Sequence, residues 1–141
     1  MVGARGDLLV LASVKSFFGS AGVKVREVLG KASGGGGYRL LNDVALRDQI
    51  VHAAAERYGY EPTEVELRLY AGKFAATKAG EQEAAIRAWA ATQIVGSGPI
   101  KIYGIDQIVK LLEEQASRRT YRDDPVIVTL KALYATGNLQ F

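Results

Sequence analysis

The sequence predicts an α/β protein with a small, mostly parallel or mixed central sheet flanked by helices. Segments with the composition of strands alternate with segments of helical periodicity, and this alternation is typical of α/β layers. The chain has 141 residues, of which 48% are hydrophobic, which is enough to bury one core. The sequence shows neither an internal repeat nor a second domain. We therefore expect a single α/β domain over residues 1–141.

The first strand is predicted near the N-terminus. Residues 7–18 form an almost continuous apolar run, interrupted by Lys15, and such runs are typical of a strand covered on both faces. Gly19–Gly22 ends the run. Val23–Val28 then suits either a short helix or a strand. The four glycines of Gly34–Gly37 predict a flexible loop, because successive glycines maximise backbone freedom.

Helices and strands alternate over the rest of the chain. Asp43 suits the N-cap of a helix and Gly59 its C-terminal end. Val65, Leu67 and Leu69 alternate with polar residues, which indicates a half-exposed strand. In chain order the predicted elements are a helix over 44–58, a strand over 64–70, a helix over 81–92, a strand over 100–103, a helix beginning at 105 and a last helix over 123–137.

Three strands make a thin sheet, so the sequence indicates that at least one more strand completes it. Val23–Val28 and Tyr38–Leu41 are the candidates within the chain, and pairing with a second copy is the alternative. The β-branched residues Val126–Val128 also suit a strand, although the Asp-Asp-Pro segment before them favours the start of a helix.

Composition excludes several kinds of chemistry. The chain has no cysteine, so disulfides, thiolate nucleophiles and iron–sulfur clusters are excluded, and one histidine, His52, makes a multi-histidine metal site improbable. The longest apolar run, Leu8–Val14, is far shorter than the roughly 18 residues of a membrane-spanning helix, and the N-terminus does not resemble a secretory signal. We therefore expect a cytoplasmic protein without a membrane partner. The net charge of +3 and the isoelectric point of about 9.2 permit a nucleic-acid partner.

Lys15 is the first candidate for chemistry. A lysine in an apolar strand is costly unless its ammonium reaches water or an anion. Ser13 projects from the same face of the strand, so the hydroxyl and the ammonium lie side by side. One interpretation is a lysine that extends into solvent at the end of the strand. The other is a cation placed to hold a phosphate or a developing oxyanion.

The order of a strand carrying Ser13-x-Lys15, a helix, a strand, a helix and another strand resembles the restriction-endonuclease-like nuclease superfamily, known by its PD-(D/E)xK motif. In that family an upstream aspartate and the motif acid hold magnesium, and the lysine orients or activates the attacking water. The resemblance implies that Lys15 is the motif lysine, that Ser13 stands at the position of the motif acid and that Asp7 is the upstream aspartate. Gln49 resembles the polar helix residue of some members. The likeness covers residues 7–102 in element order and only a few residues by motif.

The magnesium site implied by this resemblance is incomplete in the sequence. Ser13 is not a carboxylate, and a hydroxyl is a poor ligand for Mg²⁺. Gly6 stands where the motif has proline. Along a continuous strand Asp7 and Ser13 lie about 20 Å apart, so both reach one metal ion only if the strand begins after Asp7. The missing acid would be supplied by Glu27, by Glu66 or by a segment that precedes this chain.

Two further segments suit contacts with phosphate. Gly19–Lys24 follows the first strand, where backbone N–H groups and the Lys24 ammonium could hold a phosphate, although its spacing matches no phosphate-binding motif and a plain turn is the alternative. Arg118, Arg119 and Arg122 form the densest basic cluster, suited to backbone phosphates or, alternatively, to a solvated helix end.

We therefore interpret the chain as a nucleic-acid-processing domain of the restriction-endonuclease-like type, performing magnesium-assisted phosphodiester hydrolysis if it is active. Lys15 would be the central residue, and Arg118, Arg119 and Arg122 would contact the nucleic acid. The alternative is a non-catalytic nucleic-acid-binding or protein-interaction module, either as a homo-oligomer subunit or as the C-terminal part of a larger chain.

Overall fold

The structure is a computed structural model that describes residues 2–16, 21–31, 36–76 and 81–117. The predicted helix over 123–137 and the basic cluster at 118–122 lie outside the described residues. The chain divides into two compact units, residues 1–104 and 105–141, which are described separately. That the chain forms one domain stays a prediction.

The first unit contains a mixed four-stranded sheet in the order β1-β2-β3-β6 and a two-stranded hairpin, β4-β5. The strands are β1 (Val2–Arg5), β2 (Leu8–Lys15), β3 (Val65–Ala71), β4 (Ile94–Val95), β5 (Gly98–Pro99) and β6 (Lys101–Tyr103). The helices of this unit are α1 (Val25–Val28), α2 (Arg39–Asn42), α3 (Val44–Tyr58) and α4 (Glu81–Thr92). β2, β3 and β6 are parallel and β1 is antiparallel to β2, which confirms the predicted α/β class with a mixed sheet.

β1 is the strand that the sequence analysis did not identify. It pairs with β2 through a two-residue turn, since Arg5 lies opposite Leu8. Gly6 takes a φ of 59° in this turn, which is the conformation that tight hairpins require. Asp7 therefore lies in the turn, and β2 begins one residue later than predicted.

The sheet has two faces of different composition. On the first, Leu9, Leu11 and Ser13 of β2 lie opposite Val65, Leu67 and Leu69 of β3. The crossover from β2 to β3 and the crossover from β3 to β6 step in the same direction across the sheet. Because such parallel crossovers are right-handed, the helices within them lie on the same side of the sheet. Each helix contributes at least one residue to a single core cluster with the apolar residues among these strand positions. The helix residues include Val28, Leu41, Val51 and Ile86. We call this side the helix face.

The opposite side, which we call the open face, is formed by alternate residues of the three parallel strands. They are Leu8, Val10, Ala12 and Val14 of β2, Glu66, Arg68 and Tyr70 of β3, and Lys101 and Tyr103 of β6. Val14 is 51% exposed and Val10 is half-buried, so the expectation of a first strand covered on both faces is wrong. Strand β3 alternates as predicted, with apolar side chains toward the helices and polar ones on the open face.

The two candidate strands between β2 and α3 are helical rather than extended. Val25–Val28 forms α1, and Tyr38–Leu41, a candidate strand, continues from a 3₁₀ turn at Gly36–Tyr38 into α2. Val23 makes an isolated parallel bridge with Phe74. Gly22 has a φ of 89°, and a Cβ there would lie 2.8 Å from the backbone carbon of Phe74. This close approach gives the glycine a structural role that needs no phosphate.

The two longer helices of the first unit confirm the prediction. Asp43 caps α3, because its Oδ1 accepts a hydrogen bond from the backbone N–H of Leu46 at 3.1 Å. This bond, followed by the side chain of Arg39, holds the pKa of Asp43 below its ordinary value. Gly59 ends the helix with a φ of 77°.

The second unit contributes one described helix, α5 (Ile105–Ser117), which begins where the sequence predicts. Ile108, Leu111 and Leu112 are half-buried and recur at helical spacing. Within the described ranges of both units, no helix is long and apolar enough to span a membrane.

Replacing Leu69 by alanine tests the core of the first unit. Leu69 is 0% exposed in the central strand, so we expect Leu69→Ala to lower the free energy of unfolding by about 2–5 kcal/mol. Urea denaturation monitored by circular dichroism measures the change. Ile94, which is 66% exposed, provides the control: Ile94→Ala should cost about 0.5 kcal/mol or less. Equal losses in the two variants would contradict the assigned burial.

Candidate functional site

The open face carries a connected polar and aromatic cluster at its centre. Glu66, Arg68 and Tyr70 follow one another at alternate positions of β3, and Tyr103 lies opposite Tyr70 on β6. The strands place all four side chains on one side of the sheet, because residues paired across neighbouring strands share a face. Lys101, exposed and opposite Arg68, adds a second cation.

The Arg68 guanidinium is held by its neighbours on the same strand. Its Nε donates to Oε2 of Glu66 at 2.6 Å, its Nη2 lies 2.5 Å from the same oxygen, and its Nη1 donates to the Tyr70 hydroxyl at 2.9 Å. The side chains of Arg68 and Glu66 are only 12% and 11% exposed. Burial alone would lower the pKa of Arg68, but the hydrogen bonds with Tyr70 and Glu66 outweigh it and raise that pKa. The charge is therefore fixed in place.

The two tyrosines form an aromatic surface beside this charge. The rings of Tyr70 and Tyr103 are stacked, with centroids 5.0 Å apart and planes inclined by 16°. Cζ of Arg68 lies 5.3 Å from the centroid of the Tyr103 ring, within the range of a cation–π contact. Both tyrosines are half-buried and so keep part of their surface exposed. Flat aromatic rings with an adjacent guanidinium can stack on planar ligands.

A cavity of about 280 Å³ adjoins this cluster. Its walls come from β1, β2 and β3, and they are Val2, Gly3, Ala4, Val10, Ala12, Arg68 and Tyr70. Apart from Arg68 and Tyr70 the side chains are apolar or absent. The cavity therefore combines an apolar lining with a guanidinium and a phenol.

The structure places Lys15 at a different site. Lys15 ends β2 on the helix face, at the carboxyl edge of the parallel strands, where ligands bind in open α/β sheets. Its ammonium lies 4.8 Å from the centroid of the Tyr38 ring. Ser13 lies on the same face of β2 and is half-buried, so the predicted pairing of these two residues on one face is confirmed.

Tyr38 is the buried residue that Lys15 contacts, and its hydroxyl is affected by the charge of Glu27. The Tyr38 side chain is 5% exposed, and its buried hydroxyl has no hydrogen-bond partner in the part of the chain that the structure describes. Burial, assisted by the negative charge of Glu27, raises the pKa of Tyr38 to about 12. Glu27 therefore acts on the Tyr38 hydroxyl, and Lys15 contacts the ring of the same residue. The described residues give no ion pair between Lys15 and a carboxylate.

The other predicted site residues are spread over the first unit. Asp7 is exposed in the β1–β2 turn, at the opposite end of β2 from Lys15, which separates them by about 25 Å. Lys24 is exposed just before α1, and Gln49 is exposed on α3. Glu66, the other candidate acid, lies on the open face in an ion pair with Arg68, and so does not serve Lys15.

The structure does not bring Asp7, Ser13 and Lys15 together. β2 begins at Leu8, so Asp7 lies outside the strand. The distance between Asp7 and Lys15 is almost the same as along a continuous strand. Among the described residues no group of three acidic or histidine side chains is arranged to hold a metal ion. Magnesium binding stays a prediction, as do the phosphate contacts of Arg118, Arg119 and Arg122.

The sequence analysis did not select the cluster on the open face. The signal was present: the polar half of the alternation over 64–70 contains Glu66, Arg68 and Tyr70, and the short strand after Pro99 contains Lys101 and Tyr103. What the sequence lacks is the register that sets Tyr103 opposite Tyr70, because this pairing joins residues 33 positions apart. Comparison with known proteins gives no matching family model, curated protein or solved structure.

The Tyr38 hydroxyl predicts a pH dependence of stability. Its pKa is about 12 in the folded protein and 10.0 ordinarily, so between pH 10 and 12 the unfolded chain loses this proton while the folded chain retains it. The free energy of unfolding therefore falls as the pH rises through this range. In Tyr38→Phe this part of the fall is absent, because the ring remains and the ionisable group is gone. Urea denaturation of both proteins from pH 8 to 11.5 tests this, and parallel curves would contradict it.

Proposed function

We propose that the protein binds single-stranded nucleic acid on the open face of its sheet. The observation that carries the proposal is the Tyr70–Tyr103 stack with the Arg68 guanidinium against it, on the side of the sheet opposite the helices. Aromatic rings that stack on bases and cations that track the backbone are the two elements of single-strand recognition.

Charge supports a polyanionic partner. The chain carries a net charge of +3, and Lys101 stands exposed beside the stack. Glu66 is the one acidic residue among the nine open-face positions defined above, and Arg68 neutralises it. The cluster therefore offers a nucleic acid one exposed ammonium and a fixed guanidinium.

The shape of the site favours single strands over a duplex. The tyrosine rings lie on a sheet rather than on a projecting helix, and stacking on the ring faces that they do not turn toward each other requires bases that are free of their own stack. An unpaired base can satisfy this geometry, whereas a base within a duplex would first have to leave its neighbours. We therefore expect weaker binding of duplex DNA of the same length.

Replacing Tyr103 tests the contribution of stacking. Tyr103→Leu removes one ring and should weaken binding of a fluorescent oligothymidylate by about 5- to 150-fold, because base–aromatic stacking contributes about 1–3 kcal/mol. Fluorescence anisotropy measures the affinity. Tyr58, which is 48% exposed at the end of α3, provides the matched control, and Tyr58→Leu should leave the affinity unchanged. Equal effects of the two substitutions would overturn the proposal.

Replacing Lys101 tests the electrostatic contribution. Binding should weaken as salt increases, and Lys101→Ala should reduce the slope of log affinity against log salt by about 0.7, the value for one phosphate contact on a single strand. Arg57→Ala removes one positive charge on α3 and should leave the slope unchanged. Salt-independent binding, together with a dimer in sedimentation, would support a protein-interaction module instead.

A second candidate function is phosphodiester hydrolysis at Lys15, as the resemblance to restriction-endonuclease-like nucleases implies. The observation that favours it is the position of Lys15 at the carboxyl edge of the parallel strands, over the ring of the buried Tyr38. The negative charge of Glu27 acts on the same tyrosine. Lys15 would orient the attacking water, and Glu27 would supply a carboxylate for Mg²⁺.

A plasmid-cleavage assay with magnesium and with manganese tests this second function. Metal-dependent nicking by the wild-type protein that disappears in Lys15→Ala would establish a nuclease. Lys110→Ala, which removes an exposed ammonium on α5, serves as the matched control and should retain the activity. The absence of cleavage by folded wild-type protein would exclude the nuclease function under these conditions and leave the binding function to its own tests.

A further inference from the structure

The cavity beside Arg68 has the size and lining of a small ligand site. Its volume of about 280 Å³ lies just below the range of about 300–1,000 Å³ that is typical of ligand pockets, which suits one small planar group. Gly3 forms part of its wall, and a Cβ built on Gly3 meets nothing within 4 Å. The space over Gly3 is therefore open.

Arg68 brings unused hydrogen-bond donors to this cavity. A guanidinium carries five N–H groups. Glu66 accepts from Nε and is paired with Nη2, and the Tyr70 hydroxyl accepts from Nη1. Two N–H groups, one on each terminal nitrogen, are therefore left without an acceptor among the described residues. A ligand that offers two adjacent acceptors on one edge would complement them.

Guanine is the purine that has this pattern. Its N7 and O6 are adjacent acceptors that pair with an arginine fork, whereas adenine presents an acceptor beside the N6 donor. The apolar walls formed by Val10 and Ala12 suit the faces of a purine ring, and Tyr70 closes one side. The ion pair with Glu66 holds the guanidinium so that little freedom is lost when a base binds.

We propose that this cavity is a guanine subsite, which takes one unstacked guanine of a bound single strand and recognises it through Arg68. The inference rests on the proposed single-strand binding function and adds base preference to it. The Tyr70–Tyr103 stack binds neighbouring bases without preference, and the cavity selects guanine at one position.

Oligothymidylates that differ at one central position test the subsite. The strand with a central guanine should bind the wild-type protein about 5- to 150-fold more tightly than the strand with a central adenine, as expected for one bidentate arginine–guanine pair. A central 7-deazaguanine, which lacks the N7 acceptor, should lose most of this advantage. Fluorescence anisotropy at fixed salt gives all three affinities.

Gly3→Val fills the cavity and provides the variant test. The substitution should abolish the preference for guanine while the oligothymidylate itself binds as before, because the tyrosine stack is untouched. Gly98→Val is the matched control: a Cβ there also meets nothing within 4 Å, and Gly98 lies in the β4–β5 hairpin outside the cavity. It should retain the preference.

The outcomes separate the two proposals. If no oligonucleotide binds, the proposed function fails and the subsite fails with it. If all the oligonucleotides bind with equal affinity, the proposed function stands and the guanine subsite is overturned. A preference for guanine that persists in folded Gly3→Val also overturns the subsite. So does equal affinity of the wild-type protein for the strands with guanine and with 7-deazaguanine, and this comparison needs no variant.

Discussion

The alternation of side chains along β3 is the constraint on which the first unit depends. Val65, Leu67 and Leu69 are almost completely buried against the helices, whereas Arg68 and Tyr70 face the other way. Because β3 is the central partner of both β2 and β6, its register fixes the two faces of the whole sheet. A shift by one residue would place Arg68 in the apolar core, so burial of the leucines and presentation of the cluster are set together.

The Glu66–Arg68 ion pair shows how two nearly buried charges are accommodated on this sheet. The free energy needed to remove two charges from water can exceed the attraction between them. Removing one partner of such a pair leaves the other charge buried without compensation. Here one carboxylate oxygen contacts two nitrogens of the guanidinium, and Tyr70 accepts from the third. The arrangement keeps Arg68 charged and oriented beside the aromatic stack. This fixed orientation distinguishes Arg68 from Lys101, which is exposed and forms no ion pair with the described residues.

Local sequence signals predicted the elements that depend on local interactions. The cap at Asp43, the glycine at position 59 and the alternation over 64–70 located α3 and β3, because each acts within a few residues. The sequence analysis did not predict β1, because its four residues show no clear pattern and only Gly6, in the turn that follows, indicates a hairpin. The carboxylate partner expected for Lys15 and the open-face cluster depend on register between distant strands, which no local pattern encodes. The sequence analysis therefore selected Lys15 from its unusual setting in an apolar run and passed over Arg68, whose setting in an alternating strand is ordinary.

Mapping a bound oligothymidylate by NMR tests the central claim most directly. Backbone amide shifts of the ¹⁵N-labelled protein would be followed during titration, with the tyrosine ring signals recorded alongside. The account predicts that the largest changes fall on the strands and rings of the open face, with Tyr70 and Tyr103 foremost and α3 unaffected. Changes confined to the Lys15–Tyr38 edge, or to the outer surface of the helices, would contradict it.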